Sequence, residues 1–180
     1  MEWMNSNLKE IEPTNISNQE QKEKIAKEIA LKVKDGDVIG FGSGSTSYLA
    51  IKEIAKRIEE EELHITAIPT SYEMRALCHS LNIPTASILE KRPDWGFDGA
   101  DEVDKNNNWI IKGRGAALFK EKLNMVNAGI TYILVDDSKL VDELDTKFTE
   151  IYETLEEDIK SITGVIESGL FMEYPIEVIH

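Results

Sequence analysis

An α/β fold is predicted for this chain: a three-layer sandwich with a mainly parallel sheet between helices. Three observations predict it. Short apolar runs of strand length alternate with amphipathic helical stretches, the pattern of βα units. The run Val38-Ile39-Gly40-Phe41-Gly42 is apolar without alternation, as a parallel strand buried on both faces is. The chain has 180 residues, of which 41% are hydrophobic and 30% charged. That suffices for one domain with its own core and no metal or disulfide staple.

Each element has a local reason. Residues 1–18 are polar and aperiodic, and are expected to form a flexible N-terminal segment. Residues 19–180 are expected to form a single α/β domain. Between Gln19 and Val33, the residues Ile25, Ala26, Ile29, Ala30 and Val33 fall at helical spacing. Asp35-Gly36-Asp37 is turn chemistry, and the Val38–Gly42 strand follows. Tyr48, Leu49, Ala50, Ile51, Ile54 and Ala55 mark a second helix, with Glu59–Glu62 as its solvated end or a loop. His64–Pro69 reads as a strand and Tyr72–Leu81 as a helix. Thr85–Ile88, Trp95–Phe97 and Trp109–Ile111 read as short strands. Ala116–Val126 is helical, Tyr132–Val135 a strand, Leu155–Ile162 a helix and Ile176–Ile179 a last strand. No internal repeat or low-complexity segment interrupts this order.

Charge and cysteine content narrow the function. With 34 acidic and 20 basic residues the net charge is −14. Such a chain is repelled by phosphate backbones and anionic membranes, and no basic patch offsets this, so neither nucleic acid nor membrane is an expected partner. Cys78 is the single cysteine. It cannot form an internal disulfide, which points to a reducing compartment and the cytoplasm. It reads as a half-buried apolar residue, and His79 beside it points elsewhere on a helix. No apolar run reaches bilayer length, and Met1–Pro13 lacks the pattern of a signal peptide.

Ligands in open α/β sheets bind beyond the carboxyl ends of the strands. After the first strand comes Gly42-Ser43-Gly44-Ser45-Thr46, directly before a helix. Small residues, hydroxyl donors and the free N–H groups of a helix start make a phosphate cradle. A Ser/Thr cap on a tight turn is the alternative. Thr70-Ser71 is a similar, weaker pair that reads as a cap. The densest polar group is Asp98-Gly99-Ala100-Asp101-Glu102, whose carboxylates repel one another unless a cation is near. Lys112 is that cation by sequence, and Lys112-Gly113-Arg114-Gly115 leads into a helix carrying Glu121. Carboxylates, a lysine and a helix-borne glutamate suit proton transfer. An exposed acidic turn with an unrelated surface ion pair is the alternative. No His or Cys cluster has metal-ligand spacing, so no metal and no cofactor is expected.

These segments, in this order, resemble the ribose-5-phosphate isomerase A family. The resemblance is carried by Gly42–Thr46, Asp98–Glu102, Lys112–Leu118 with Glu121-Lys122, and Val135–Leu140. Ile68–Ser71 and Gly164–Phe171 add to it. It implies a Rossmann-like fold and a metal-free interconversion of D-ribose 5-phosphate and D-ribulose 5-phosphate through an enediolate. By that resemblance Glu121 matches the general base and Asp98 the carboxylate that opens the furanose ring. Asp101 and Lys112 match the groups handling hydroxyl protons and the oxyanion. Ser43, Gly44, Ser45 and Thr46 match the phosphate loop, Gly113, Arg114 and Gly115 the substrate loop, and Lys139 and Lys22 two lysines near the sugar phosphate. Arg114 interrupts the family's run of glycines. The family's small α+β domain is expected to be largely absent after about residue 148. Its loss is expected to bare apolar surface near Phe148, Ile151 and Phe171, and so to favour a homodimer. The alternative to an isomerase is a non-catalytic sugar-phosphate-binding protein of the same fold.

Overall fold

The computed structural model describes Pro13 and residues 15–113, 115–144 and 152–180, the side chains of 152–155 excepted. Its first element is helix α1 (Gln19–Ala30), which buries Ile25, Ala26, Ile29 and Ala30 at the spacing that predicted it. Strand β1 (Val38–Phe41), helix α2 (Ser45–Glu61), strand β2 (Thr66–Pro69), helix α3 (Tyr72–Ser80) and strand β3 (Trp95–Asp98) follow. Helix α1 lies against α2, where Ala50, Ile51 and Ile54 join the same core. Arg57 of α2 donates to the carbonyls of Ala30 (2.6 Å) and Val33 (2.9 Å), so a guanidinium closes the C-terminal end of α1. Carbonyls left over at a helix end are well matched to a cation there. The acidic run Glu59–Glu62 is the exposed end of α2.

The chain continues through β4 (Glu102–Asp104), β5 (Ile110–Ile111), α4 (Leu118–Asn127) and β6 (Thr131–Leu134). After β6 come β7 (Leu140–Val141), α5 (Tyr152–Ser161), β8 (Leu170–Phe171) and β9 (Ile176–Ile179). The main sheet has the order β2-β1-β3-β6-β9, and every pair in it is parallel. It bears out the expected α/β architecture. The chain steps from β1 outward to β2, then returns across β1 to β3. The crevice beyond the carboxyl ends of β1 and β3 is therefore the switch point at which such sheets bind ligands. A second sheet, β7-β4-β5-β8, stands beside the first and mixes parallel and antiparallel pairs.

Three expectations are corrected. Thr85–Ile88 is not a strand, since only Thr85 bridges to Ala67. The second sheet was foreseen only at β5. Phe171 is not surface: it is buried with Val103, Ile110 and Met125. Phe148 and Ile151, named with it, lie outside the described residues. Cys78 is wholly buried, and burial pushes its thiol up to about 12. Among the described residues, no helix is long and apolar enough to cross a membrane.

Candidate active site

The carboxyl ends of β1, β3 and β6 lie side by side, and each delivers polar groups to one place. Beyond β1, Gly42 donates its N–H to the Phe97 carbonyl (2.8 Å) and packs against Asp98 at the end of β3. A Cβ at Gly42 would fall inside the Asp98 carboxylate, so the approach of the two strand ends requires glycine there. Asp98 Oδ1 then accepts from the backbone N–H of Ser43 (3.2 Å) and of Gly99 (2.8 Å). Gly44, at φ 96°, turns the chain into α2, which starts without a side-chain cap. Its first-turn N–H groups thus remain for a ligand. Ser43 Oγ and Thr70 Oγ1 share a hydrogen bond at 2.7 Å, and Thr70 is buried. Ser71 instead caps α3 by accepting from the Met74 N–H (3.2 Å). The Thr70-Ser71 pair therefore divides: one hydroxyl supports the loop and the other is the expected cap.

The charged centre is a buried triad. Lys112 Nζ lies 3.1 Å from Asp98 Oδ1 and 3.3 Å from Glu121 Oε2, and it donates to the Gly99 carbonyl. All three side chains are almost wholly withdrawn from solvent. Burial pushes the Glu121 carboxyl up to about 7, and the charge of Asp98 acts in the same direction. The Lys112 ammonium opposes both, and the charge of Asp101 adds a smaller upward push. Burial also raises Asp98, against the pull of Lys112 and the two backbone donors. Burial works against the Lys112 charge, but the two carboxylates outweigh it and hold the ammonium above the ordinary lysine range. The arrangement is a carboxylate that titrates near neutrality beside a permanently charged lysine. It suits a base that takes a carbon-bound proton next to a cation that holds the resulting oxyanion.

A cavity of about 230 Å³ opens in front of this triad. Its walls include Ser43, Gly44, Ser45, Thr46, Asp101, Lys112, Gly113, Gly115, Glu121, Lys139 and Lys22, which are the sequence-predicted residues brought together. Asp98 is the exception among those described. It lies behind Lys112 and off the cavity wall. Arg114 lies outside the described residues. The sequence reading missed Asp136, Ser17 and Ala100, which also line the cavity. Asp136 follows β6 and is buried. It accepts from Asn18 Nδ2 (2.8 Å) and the Ser138 N–H (3.1 Å), and its Oδ2 lies 3.6 Å from Lys22 Nζ. Burial tends to raise Asp136, but the Ser138 and Asn18 hydrogen bonds and the Lys22 charge hold it below the usual carboxylate range. Lys22 reaches Ser17 Oγ and Ser45 Oγ at 3.3 Å each. Thus Ser17 and Asn18, expected to belong to a flexible N-terminal segment, reach the site through Asp136 and Lys22. Among the described residues no three His, Cys, Asp or Glu side chains gather as a metal-binding set.

Comparison with known proteins bears on the family of the chain. The family Ribose 5-phosphate isomerase A (phosphoriboisomerase A) matches residues 66–151. The ribose-5-phosphate isomerase A of Methanocaldococcus jannaschii is 47% identical over 133 residues, 74% of this chain and 59% of that protein. The chain therefore spans about three fifths of that relative's length. The structure of the M. jannaschii enzyme superposes with a TM-score of 0.82 at 34% identity, covering 90% of this chain and 95% of that one. A D-ribose-5-phosphate isomerase in complex with phospho-erythronic acid superposes with a TM-score of 0.81 at 30% identity, covering 91% and 95%. The chain belongs to the ribose 5-phosphate isomerase A family.

Proposed function

We propose that this protein interconverts D-ribose 5-phosphate and D-ribulose 5-phosphate. The observation that carries the reading is the buried Asp98–Lys112–Glu121 triad, whose Lys112 and Glu121 face one cavity with an uncapped helix start and two lysines. The phosphate sits at the N-terminus of α2, between the Ser43–Thr46 loop and the ammonium groups of Lys22 and Lys139. The relative that binds phospho-erythronic acid supports a phosphorylated sugar chain as occupant. With the aldose open, Glu121 removes the proton on C2 and the electron pair moves into a C1–C2 double bond. The charge that develops on O1 is held by Lys112. The proton on O2 passes to O1 through Asp101, which lines the wall, and Glu121 returns its proton to C1. Asp98, off the cavity wall, keeps Lys112 in place.

We place the protein in the cytoplasm on its lone, buried thiol, and propose that it forms a homodimer. Support for the dimer comes from α4, where Phe119 (53% exposed), the half-buried Leu123 and Val126 (50%) share one outer face. A clean monomer in sedimentation equilibrium at micromolar concentration would overturn it. The isomerase reading is tested by a coupled assay of ribulose 5-phosphate formation from ribose 5-phosphate. Turnover is the expected result. Binding of the sugar phosphate without turnover would mean a non-catalytic binder.

A further inference from the structure

A second buried lysine lies directly beside the base. Lys122 is on α4, one residue after Glu121, and consecutive helical residues point about 100° apart. Glu121 faces the cavity, whereas Lys122 faces the C-terminal part of the chain. Its ammonium lies 2.6 Å from Glu156 Oε1 of α5 and 2.9 Å from Glu167 Oε1, and it donates to the Leu170 carbonyl at 2.7 Å. It also stands 4.5 Å from the centre of the Phe171 ring. Lys160 bridges the same two carboxylates, at 3.4 and 3.2 Å, but is 40% exposed.

The segment that grips Lys122 also touches Lys112. The Lys112 N–H donates to the Gly169 carbonyl (2.9 Å), and a Cβ at Gly169 would collide with the Lys112 carbonyl. Residues 167–170 therefore hold the catalytic loop by its backbone and the catalytic helix by a charge. A buried charge is tolerated only where its partners are in place, which gives the contact a strict geometry. We propose that Lys122, gripped by Glu156, Glu167 and the Leu170 carbonyl, is a positioning residue that fixes the rotation of α4 and with it the separation of Glu121 from Lys112. The inference rests on the isomerase reading for the role of Glu121.

The titratable groups facing Glu121 are Asp98, Lys112 and Asp101, and none belongs to the Lys122 network. Lys122 thus acts on the base through the helix alone. If α4 rotates, Glu121 changes its burial and its distances from Lys112 and Asp98 together, so its midpoint moves. The experiment is a carbon-13 titration of the glutamate carboxyls, with Glu121→Gln assigning the signal, run beside steady-state kinetics. Lys122→Met and Glu167→Gln are expected to move the Glu121 midpoint away from its wild-type value and to lower kcat about tenfold or more, with KM within about threefold. Lys122→Arg restores most of both. Lys160→Met, in the exposed part of the same network, leaves both unchanged. A folded Lys122→Met protein with the wild-type midpoint and kcat overturns the proposal. Should Lys122→Met fail to fold, Glu167→Gln decides on the same two readouts. A wild-type protein that titrates as described but never turns over ribose 5-phosphate would sink the isomerase reading and leave the helix-positioning result to the titration.

Discussion

Glu121→Gln separates the catalytic role proposed for Glu121 from its effect on stability. Glutamine keeps the shape of the side chain but cannot take a proton. A general base is worth roughly 10²–10⁴ in rate, so kcat is expected to fall by that factor with sugar-phosphate binding retained. Stability should move the other way, and only above a certain pH. The Glu121 carboxyl titrates at about 7 in the fold against 4.5 in a free chain. Between those values the native state holds a proton that the unfolded chain has lost, so stability declines as pH rises. The relative stabilisation is complete below 4.5 and gone above about 7. At about 1.4 kcal/mol per pKa unit the loss amounts to roughly 3 kcal/mol. Glutamine does not titrate and is spared it. Urea unfolding at about pH 5 and about pH 8 reads the difference, and the variant should gain about 2–3 kcal/mol on wild type between them. An equal stability difference at both pH values would refute the account of a base raised by burial. An unchanged kcat would remove Glu121 from catalysis.

Other perturbations follow from the same geometry. In the wild type, kcat/KM should fall as pH drops below about 7, the range in which Glu121 acquires its proton, and a flat profile from about pH 5 to 8 would count against Glu121 as base. Thr46→Val should raise KM for the sugar phosphate more than it lowers kcat, because a phosphate contact is made alike in ground and transition states; a selective loss of kcat would place Thr46 at the chemistry instead. Gly42→Ala should reduce kcat and stability together, since the added methyl and the Asp98 carboxylate claim the same space; a crystal structure with Asp98 undisturbed would contradict this. Treatment with EDTA should leave turnover intact, and activity lost to EDTA and restored by a divalent cation would demand a metal site.

The main sheet was legible because its strands are short apolar runs separated by helices of clear periodicity, and Val38–Phe41 and Thr131–Leu134 stand out on that ground. The smaller sheet was not. Its strands β7 and β8 have two residues each, too few to show alternation, and their partners are distant in sequence. Strand β4 is Glu-Val-Asp, which reads as the tail of an acidic turn. The site was legible where residues cluster locally, as in Ser43–Thr46 and Asp98–Asp101. Asp136 escaped because its contact with Asn18 spans 118 residues. Lys122 escaped because a charged residue on an amphipathic helix is assigned to solvent by default, and only the approach of Glu156 and Glu167 reverses that.

The contact between Lys122 and Leu170 spans 48 residues, and this has a consequence for the order of synthesis. At about 5–20 residues per second the base helix leaves the ribosome roughly 2–10 s before the segment that grips it. During that interval Asp98, Lys112 and Glu121 already exist on one nascent chain, together with an unneutralised Lys122 that has every reason to stay in water. Helix α4 therefore has no cause to settle in its final rotation until Glu167 and Leu170 arrive. The groups of the proposed site are made early, and their final arrangement waits for the C-terminal segment.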